Sequence, residues 1–516
     1  MPVAEFRNEP LTDFSRPENR AAMQAALAGV ASCLGRSYPL LIGGRRVETG
    51  QMLRSLNPSR PAEIVGLHHT ASPELAREAI VQAHEFFPAW SSRSAEERAG
   101  VVFETARRFR ERKQELSAWM VCEVGKTWPE ADADTAEAID FCEFYAREAL
   151  RLGGPQALSP IAGEKNELRY LPLGVGVVIP PWNFPLAIAA GMTTAALAAG
   201  NTVVLKPSSD SPTIAARFVE ILLEAGCPPQ AISLVPGSGA AIGDTLVTHP
   251  LTRFVAFTGS KEVGLRINEL AAKPQPGQRW IKRVVAEMGG KDAIVVDGDC
   301  DLDAAVQGVL VSAFGFQGQK CSACSRAIVV DRVYDEFVRK LQEKARGVTV
   351  GPSDDPANYM GPVVNERAMR SILDYIEAGK REGKVVTGGG RAAGDGYFLE
   401  PTIIADVDRK ARIFQEEIFG PVLAVTRARD FDHALELAND TEYGLTGAVF
   451  TRDPAKLDKA REQFFVGNLY LNRKCTGAFV GGHPFGGFNM SGTDSKAGGR
   501  DYLLLFTQAK VISQKV

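Results

Sequence analysis

Residues 176–207 read GVVIPPWNFPLAIAAGMTTAALAAGNTVVLKP. The stretch opens on a short apolar run, Gly176-Val177-Val178-Ile179, which Pro180-Pro181 ends because proline cannot donate to a central sheet ladder. Residues 185–199 are Ala-rich and of helical length. Asn201-Thr202-Val203-Val204-Leu205 is a second short apolar run. Strand, helix and strand in this rhythm predict a parallel sheet covered on both faces. The rhythm continues with a helix over 211–225 and strands at Ile232-Ser233-Leu234-Val235 and Phe254-Val255-Ala256-Phe257. A second alternating region, about 293 to 475, includes Ile294-Val295-Val296, Ala327-Ile328-Val329-Val330 and Val422-Leu423-Ala424-Val425. The fold class is therefore α/β, with ligands expected at the carboxyl ends of the strands.

Upstream, residues 17–34 and 73–120 carry apolar positions at helical spacing, for example Val102, Phe103, Ala106 and Phe109. Residues 129–151 continue this pattern until Gly153-Gly154-Pro155 breaks it. Residues 156–172 read as an extended arm. The final Lys510–Val516 alternates like an edge strand and is expected to pair with that arm or with another subunit.

A chain of 516 residues exceeds one ordinary core; roughly three domains or subdomains are expected. A net charge of −3 excludes a basic field for nucleic acid. No apolar run reaches the ~18 residues of a membrane span, and Met1–Pro10 lacks a signal-peptide pattern. Eight cysteines are too sparse for a disulfide scaffold. A cytoplasmic protein with neither a membrane nor a nucleic-acid partner is expected. The six histidines show no metal spacing, and no metal is expected.

Thr258-Gly259-Ser260-Lys261-Glu262-Val263-Gly264 follows a strand and opens a helix. Gly259 and Gly264 would let a phosphate approach the backbone at a helix N-terminus, although this is not the three-glycine dinucleotide fingerprint. Lys206, ending a strand, would reach a ribose hydroxyl or a phosphate. Cys321, in Gly318-Gln319-Lys320-Cys321, is a candidate nucleophile, with Glu287 of Glu287-Met288-Gly289-Gly290-Lys291 as a candidate base. The neighbouring Cys324 leaves a redox pair as the alternative reading.

Pro181-Trp182-Asn183-Phe184-Pro185, Lys206-Pro207, Gly259 to Gly264, Glu287 to Lys291, Gly318 to Cys321 and Glu417-Ile418-Phe419-Gly420-Pro421 occur in that order. Together they resemble the aldehyde dehydrogenase superfamily, from about residue 40 to the end of the chain. The resemblance implies a Rossmann-like NAD(P)-binding domain at 1–153 and 173–286, a catalytic domain at 287–489, and a small β oligomerisation arm at 154–172 and 490–516. It implies a homo-oligomer built from dimers. Cys321 then attacks an aldehyde carbon, and Asn183 with the Cys321 N–H forms an oxyanion hole. Glu287 activates water to hydrolyse a thioester. Ile179, Pro180, Trp182, Lys206, Ser209, Gly259, Ser260, Gly264, Glu417 and Phe419 fall at cofactor positions. Ser209 stands where many members carry a glutamate that repels a 2′-phosphate, so NADP is expected to be accepted beside NAD.

Phe314 to Ala323, Asn472-Arg473-Lys474-Cys475-Thr476-Gly477-Ala478, His483-Pro484-Phe485-Gly486-Gly487 and Phe6-Arg7-Asn8-Glu9-Pro10 extend the likeness to the branch that oxidises L-glutamate γ-semialdehyde in proline catabolism. That likeness assigns Gly477, Ala478 and Ser322 to the substrate α-carboxylate, and Phe184 and Phe485 to its aliphatic part. Lys320 and Glu137 are expected to pair behind the nucleophile. About 40 residues before the match are too few for a further domain, so a monofunctional chain is expected. The rivals are another aldehyde such as succinate semialdehyde, a CoA-acylating relative, and a catalytically silent homologue.

Overall fold

The computed structural model describes residues 4–516. Two seven-stranded sheets dominate it. The first runs, in spatial order, Arg283–Glu287, Thr252–Thr258, Val175–Ile179, Thr202–Leu205, Ile232–Leu234, Leu40–Ile42 and Arg45–Val47. Its first five strands are parallel, and the last two join antiparallel. The second runs Lys384–Thr387, Thr402–Ala405, Val422–Ala428, Cys324–Val330, Asp292–Val296, Thr446–Phe450 and Asn468–Leu471, parallel except at its Lys384 edge. Every residue of Val175–Ile179 and Asp292–Val296 is buried, as the continuous apolar runs predict.

The helical spacing over 73–120 resolves into three helices, Pro73–Ser91, Ala95–Glu111 and Lys113–Val124. Ser94 and Glu97 form a reciprocal capping box at the first break, which satisfies N–H groups that a continuous helix would have bonded internally. Gly125, with φ 69°, ends the third helix. Trp128–Gly153 follows and packs along Ala187–Ala198. Strands Arg36–Tyr38, Met52–Asn57 and Arg60–His69 make a separate three-stranded sheet. There His68 stacks on Tyr38 with ring centres 4.8 Å apart, while His69 bonds Ser37 and Thr49.

The C-terminal strand Thr507–Lys515 pairs antiparallel with Glu164–Pro172 within the same chain. The ribbon stops there. Residues 490–506, expected in the arm, instead run back over the end of the first sheet, where Ser491 accepts the Met288 N–H at 2.7 Å. Among the described residues, no helix is long and apolar enough to cross a membrane, and no cluster of three or more His, Cys, Asp or Glu is placed to hold a metal.

The two sheets face each other with opposite ends. At the carboxyl edge of the first, four neighbouring strands deliver Glu287, Thr258, Pro180 and Lys206. The second contributes its amino edge: Cys321 precedes strand Cys324–Val330, Glu417 precedes Val422–Ala428, and Asp292 opens its own strand. The carboxyl-end expectation therefore holds for one sheet only. Met288 to Lys291 cross directly from one edge to the other. A Cβ at Gly289 would lie 2.2 Å from the Glu417 carboxylate, and one at Gly290 would lie 2.4 Å from the Cys321 carbonyl oxygen. Close backbone approach therefore fixes Gly290, and the Glu417 side chain lies against Gly289.

Candidate active site

A cavity of about 480 Å³ lies where the edges meet, lined in part by Cys321, Glu287, Phe184, Ser322, Gly477, Ala478, Phe485, Glu137 and Lys320. It is large enough for a small-molecule substrate. Cys321 is half-buried on a tight turn that follows two non-glycine residues in left-handed conformation, Phe316 (φ 50°) and Gln317 (φ 57°). Such conformations cost about 1–3 kcal/mol each and persist where surroundings over-determine them. Gln317 Nε2 supplies part of that constraint by donating to the Gly125 and Pro362 carbonyls at 3.0 and 2.8 Å. Asn183 is buried and donates through Nδ2 to the Gln319 carbonyl at 3.0 Å, which brings it to the nucleophile loop.

Burial pushes the Cys321 thiol well above its ordinary value, and the carboxyls of Asp292, Glu417 and Glu287 push the same way. The free thiol is therefore protonated at neutral pH, and attack requires a proton acceptor. Glu287 suits that need. Burial raises it to about 7, against hydrogen bonds from the Ser495 hydroxyl (2.5 Å) and from the N–H groups of Gly487 and Ser495 (3.3 Å each). It is poised near neutrality, as a general base should be. Cys324 is buried with its thiol against the Arg326 carbonyl, and Cys475 bonds the Ser322 carbonyl, both at 3.4 Å. These contacts favour Cys324 as a packing neighbour over the redox-pair reading.

The wall at 473–478 is shaped by Arg473, whose Nη2 donates to the carbonyls of Thr476 and Gly477, each at 3.0 Å. Gly477 is left-handed (φ 77°). The N–H groups of Gly477 and Ala478 donate to no other described residue. Successive free N–H groups in this conformation make an anion-binding nest. Ser322 lies in the same wall, and Phe184 and Phe485 give it apolar surface.

The expected Lys320–Glu137 pair is not formed. Lys320 pairs with Glu130, with Nζ–Oε distances of 2.8 and 3.0 Å. Other carboxyls of helix Trp128–Gly153 already have partners. Asp132 bonds Lys113 and Thr12, Asp134 lies beside Lys126, Asp140 accepts from Asn8 and Glu9, and Glu130 takes Lys320. Glu137 faces the cavity, and burial with repulsion from Asp134 raises it to about 8.

The cofactor positions gather across the two edges. Ile179 and Pro180 end their strand, and Trp182 packs edge-on to Phe419 with ring centres 5.5 Å apart. Lys206 is buried, not solvated; its Nζ donates to the Pro207 and Gly237 carbonyls (3.0 and 3.2 Å), and burial lowers it to about 8. Ser209 is half-buried three residues further on. Ser260 caps helix Lys261–Ala272 by accepting the Val263 N–H, and the exposed Glu262 and Val263 leave that helix end open. Gly259 sits at the strand end against the Phe257 ring. Gly264 does not face a phosphate: a Cβ there would lie 2.4 Å from Met288 Sδ, so it is a packing glycine between helix and strand. Glu417 accepts the Gly290 N–H at 3.1 Å and is raised to about 7, chiefly by burial. An open helix N-terminus for a pyrophosphate, a buried lysine and a carboxylate for ribose hydroxyls suit a dinucleotide. Ser495 and Glu130 escaped sequence reading, and Arg473 was read only as part of its motif, without a role. Their only signal was position in polar loops or helix turns next to the motifs.

A sequence profile described as "Aldehyde dehydrogenase family" matches residues 46–512. A 1-pyrroline-5-carboxylate dehydrogenase of Geobacillus kaustophilus is 57% identical over 512 residues, 99% of each chain. One of Bacillus subtilis is 54% identical over 509 residues, again 99% of each. The crystal structure of a 1-pyrroline-5-carboxylate dehydrogenase from Thermus with bound NAD superposes with a TM-score of 0.98 at 50% identity and 100% coverage of both chains.

Proposed function

The chain belongs to the aldehyde dehydrogenase family, and we propose that it oxidises L-glutamate γ-semialdehyde, in equilibrium with 1-pyrroline-5-carboxylate, to L-glutamate with NAD, the second step of proline catabolism. One observation carries the choice of aldehyde. The cavity that holds Cys321 also holds the two unengaged N–H groups of Gly477 and Ala478, the Ser322 hydroxyl and the unpaired Glu137. A substrate with an α-carboxylate and an α-ammonium would meet donors for the first and, for the second, the Glu137 carboxyl, whose raised value of about 8 in the empty cavity would fall as the cation arrives. Phe184 and Phe485 would cover its methylenes. Succinate semialdehyde would leave Glu137 without a cation.

Cys321 Sγ bonds the aldehyde carbon as its proton passes to Glu287, and the alkoxide is met by the Asn183 amide and the Cys321 N–H. NAD, when bound, accepts the hydride that this adduct gives up, which leaves a thioester on Cys321. Glu287 passes its proton out through Ser495 or solvent, then takes one from the water that attacks the thioester. Glutamate leaves, and Cys321 regains its thiol. A base in this cavity favours water over CoA as the acyl acceptor. Lys206, Ser260 and Glu417 would hold the dinucleotide, with Trp182 and Phe419 beside it. Ser209 offers no carboxylate against a 2′-phosphate, so NADP is a second acceptor. The isolated ribbon, with Val511 exposed, supports a homo-oligomer built from dimers. Eight free cysteines fit a reducing compartment, and we place the protein in the cytoplasm.

The test is NADH formation from glutamate semialdehyde against succinate semialdehyde, propanal and other aldehydes. A kcat/KM at least tenfold higher for glutamate semialdehyde is expected. Preference for propanal would remove the substrate reading and leave the family.

A further inference from the structure

Lys126 has no exposed surface, and its ammonium finds no hydrogen-bond acceptor in good geometry among the described residues. It lies 3.2 Å from Asp134 and sits 4.1 and 4.2 Å from the ring centres of Phe184 and Phe316. A buried cation is costly, and an apolar side chain would serve packing better. Burial pulls the Lys126 pKa down, and Asp134 and Glu130 pull it back up. The two aromatic faces favour the charged form further.

The two rings belong to different loops. Phe184 directly follows Asn183. Phe316 lies five residues before Cys321 and is one of the two left-handed residues of that loop. Asp134 also accepts the Ala187 N–H at 2.7 Å, at the start of the helix that follows Phe184. The adjacent Gly125 carbonyl accepts from Gln317, next to Phe316. Besides the Lys126 contact, a named tie between the loops is the Asn183 bond to Gln319.

We propose that Lys126 is a positioning residue, its ammonium sandwiched between Phe184 and Phe316 to fix the oxyanion-hole loop against the nucleophile loop. The proposal needs Cys321 as nucleophile but not any particular aldehyde. The clamp acts on the reacting atoms, so its loss should harm glutamate semialdehyde and propanal by the same factor.

The experiment is a double-mutant cycle of K126M with F184L, read by the rate of the first NADH turnover, NAD binding and thermal midpoint. K126M should slow the first turnover roughly 30- to 100-fold for both aldehydes, with KM and NAD affinity changed less than about threefold. The double variant should be within about threefold of the slower single variant, because each change breaks the same sandwich. K126R, which keeps the cation, should recover at least part of the rate. It carries the cycle if K126M does not fold: with F184L present, K126R should cost no further rate. Losses that multiply in the cycle, wild-type turnover in K126M, or parallel falls in turnover and NAD affinity would each overturn the proposal.

Discussion

The cofactor cleft and the aldehyde pocket share one crevice but are made of different material. The cleft offers the open backbone end of helix Lys261–Ala272, beside two displaced side chains, Lys206 near 8 and Glu417 near 7, that hold the ligand and exchange no proton in the reaction. The pocket offers side chains whose protonation is displaced by burial: Glu287 near 7, Glu137 near 8 and Cys321 well above its ordinary value. Backbone donors survive most substitutions, whereas a displaced carboxyl or thiol depends on one residue in one environment. Mutational effects should therefore be steep in the pocket and shallow in the cleft.

The steepest should be at the nucleophile. C321A should lower kcat by roughly 10⁴-fold or more while NAD still binds. C324A should keep activity within about threefold, since its thiol faces the Arg326 carbonyl. Equal losses in both variants, measured as steady-state NADH formation, would return the pair to a redox reading.

Glu287 should come next. E287Q should slow both steps that use this base, the Cys321 proton transfer and thioester hydrolysis, and hydrolysis the more, by roughly 10²–10⁴-fold, so a burst of NADH precedes a slow steady state. In the wild type the same carboxyl sets a pH dependence. With its proton held up to about 7, hydrolysis should rise with pH through about 7 and level off above it. The sign for stability is opposite. A carboxyl whose folded value lies above its ordinary 4.5 binds its proton more tightly when folded. Its contribution is full below about 4.5 and is lost as pH rises through about 7. A uniform slowing of E287Q without a burst would mean that the Cys321 proton transfer, not hydrolysis, is the step for which Glu287 is needed.

Gly477 tests the substrate wall, where the pocket borrows the cleft's material. G477V must strain a φ of 77° and bring a side chain toward Lys474. Losing charge-assisted hydrogen bonds is worth about 1.5–3 kcal/mol, or roughly ten- to a hundredfold in KM for glutamate semialdehyde. Propanal, with no carboxylate to lose, should change less than about threefold. Equal losses would mean that the change disturbs Cys321 instead.

The same division explains what the sequence could say. Alternating strands and helices, the ribbon pairing and the loops bearing Cys321, Glu287 and Lys206 were legible, because burial period and glycine placement are local. The three-stranded sheet at 36–69 was not, since its ten-residue strand Arg60–His69 keeps no strict alternation of burial and pairs with pieces of only three and six residues. The partner of Lys320 shows the limit well. Glu130 and Glu137 are seven residues apart, two turns on nearly one face of a helix. Spacing alone cannot choose between them, and the fold gives Lys320 to Glu130 and leaves Glu137 to the cavity. Gly264 erred the other way: a glycine in a phosphate-like motif serves packing against Met288.

The smallest expected effect lies in the cleft. Ser209 stands half-buried, three residues beyond a lysine held by carbonyls, and in the proposed cofactor site a glutamate there would be set against the adenosine ribose. S209E should leave kcat with NAD within about twofold, because Ser209 does not line the cavity that holds Cys321 and Glu287. A 2′-phosphate would meet a like charge partly screened by solvent, worth about 0.5–1.5 kcal/mol. The NADP-to-NAD ratio of kcat/KM should therefore fall roughly three- to tenfold, and less at high salt. The decisive control is the wild type itself. If it turns over no NADP, another residue already excludes the phosphate, and the serine is not what sets the preference. If S209E lowers kcat with NAD a hundredfold, the cleft is as steep as the pocket, and the contrast between backbone and side-chain sites fails.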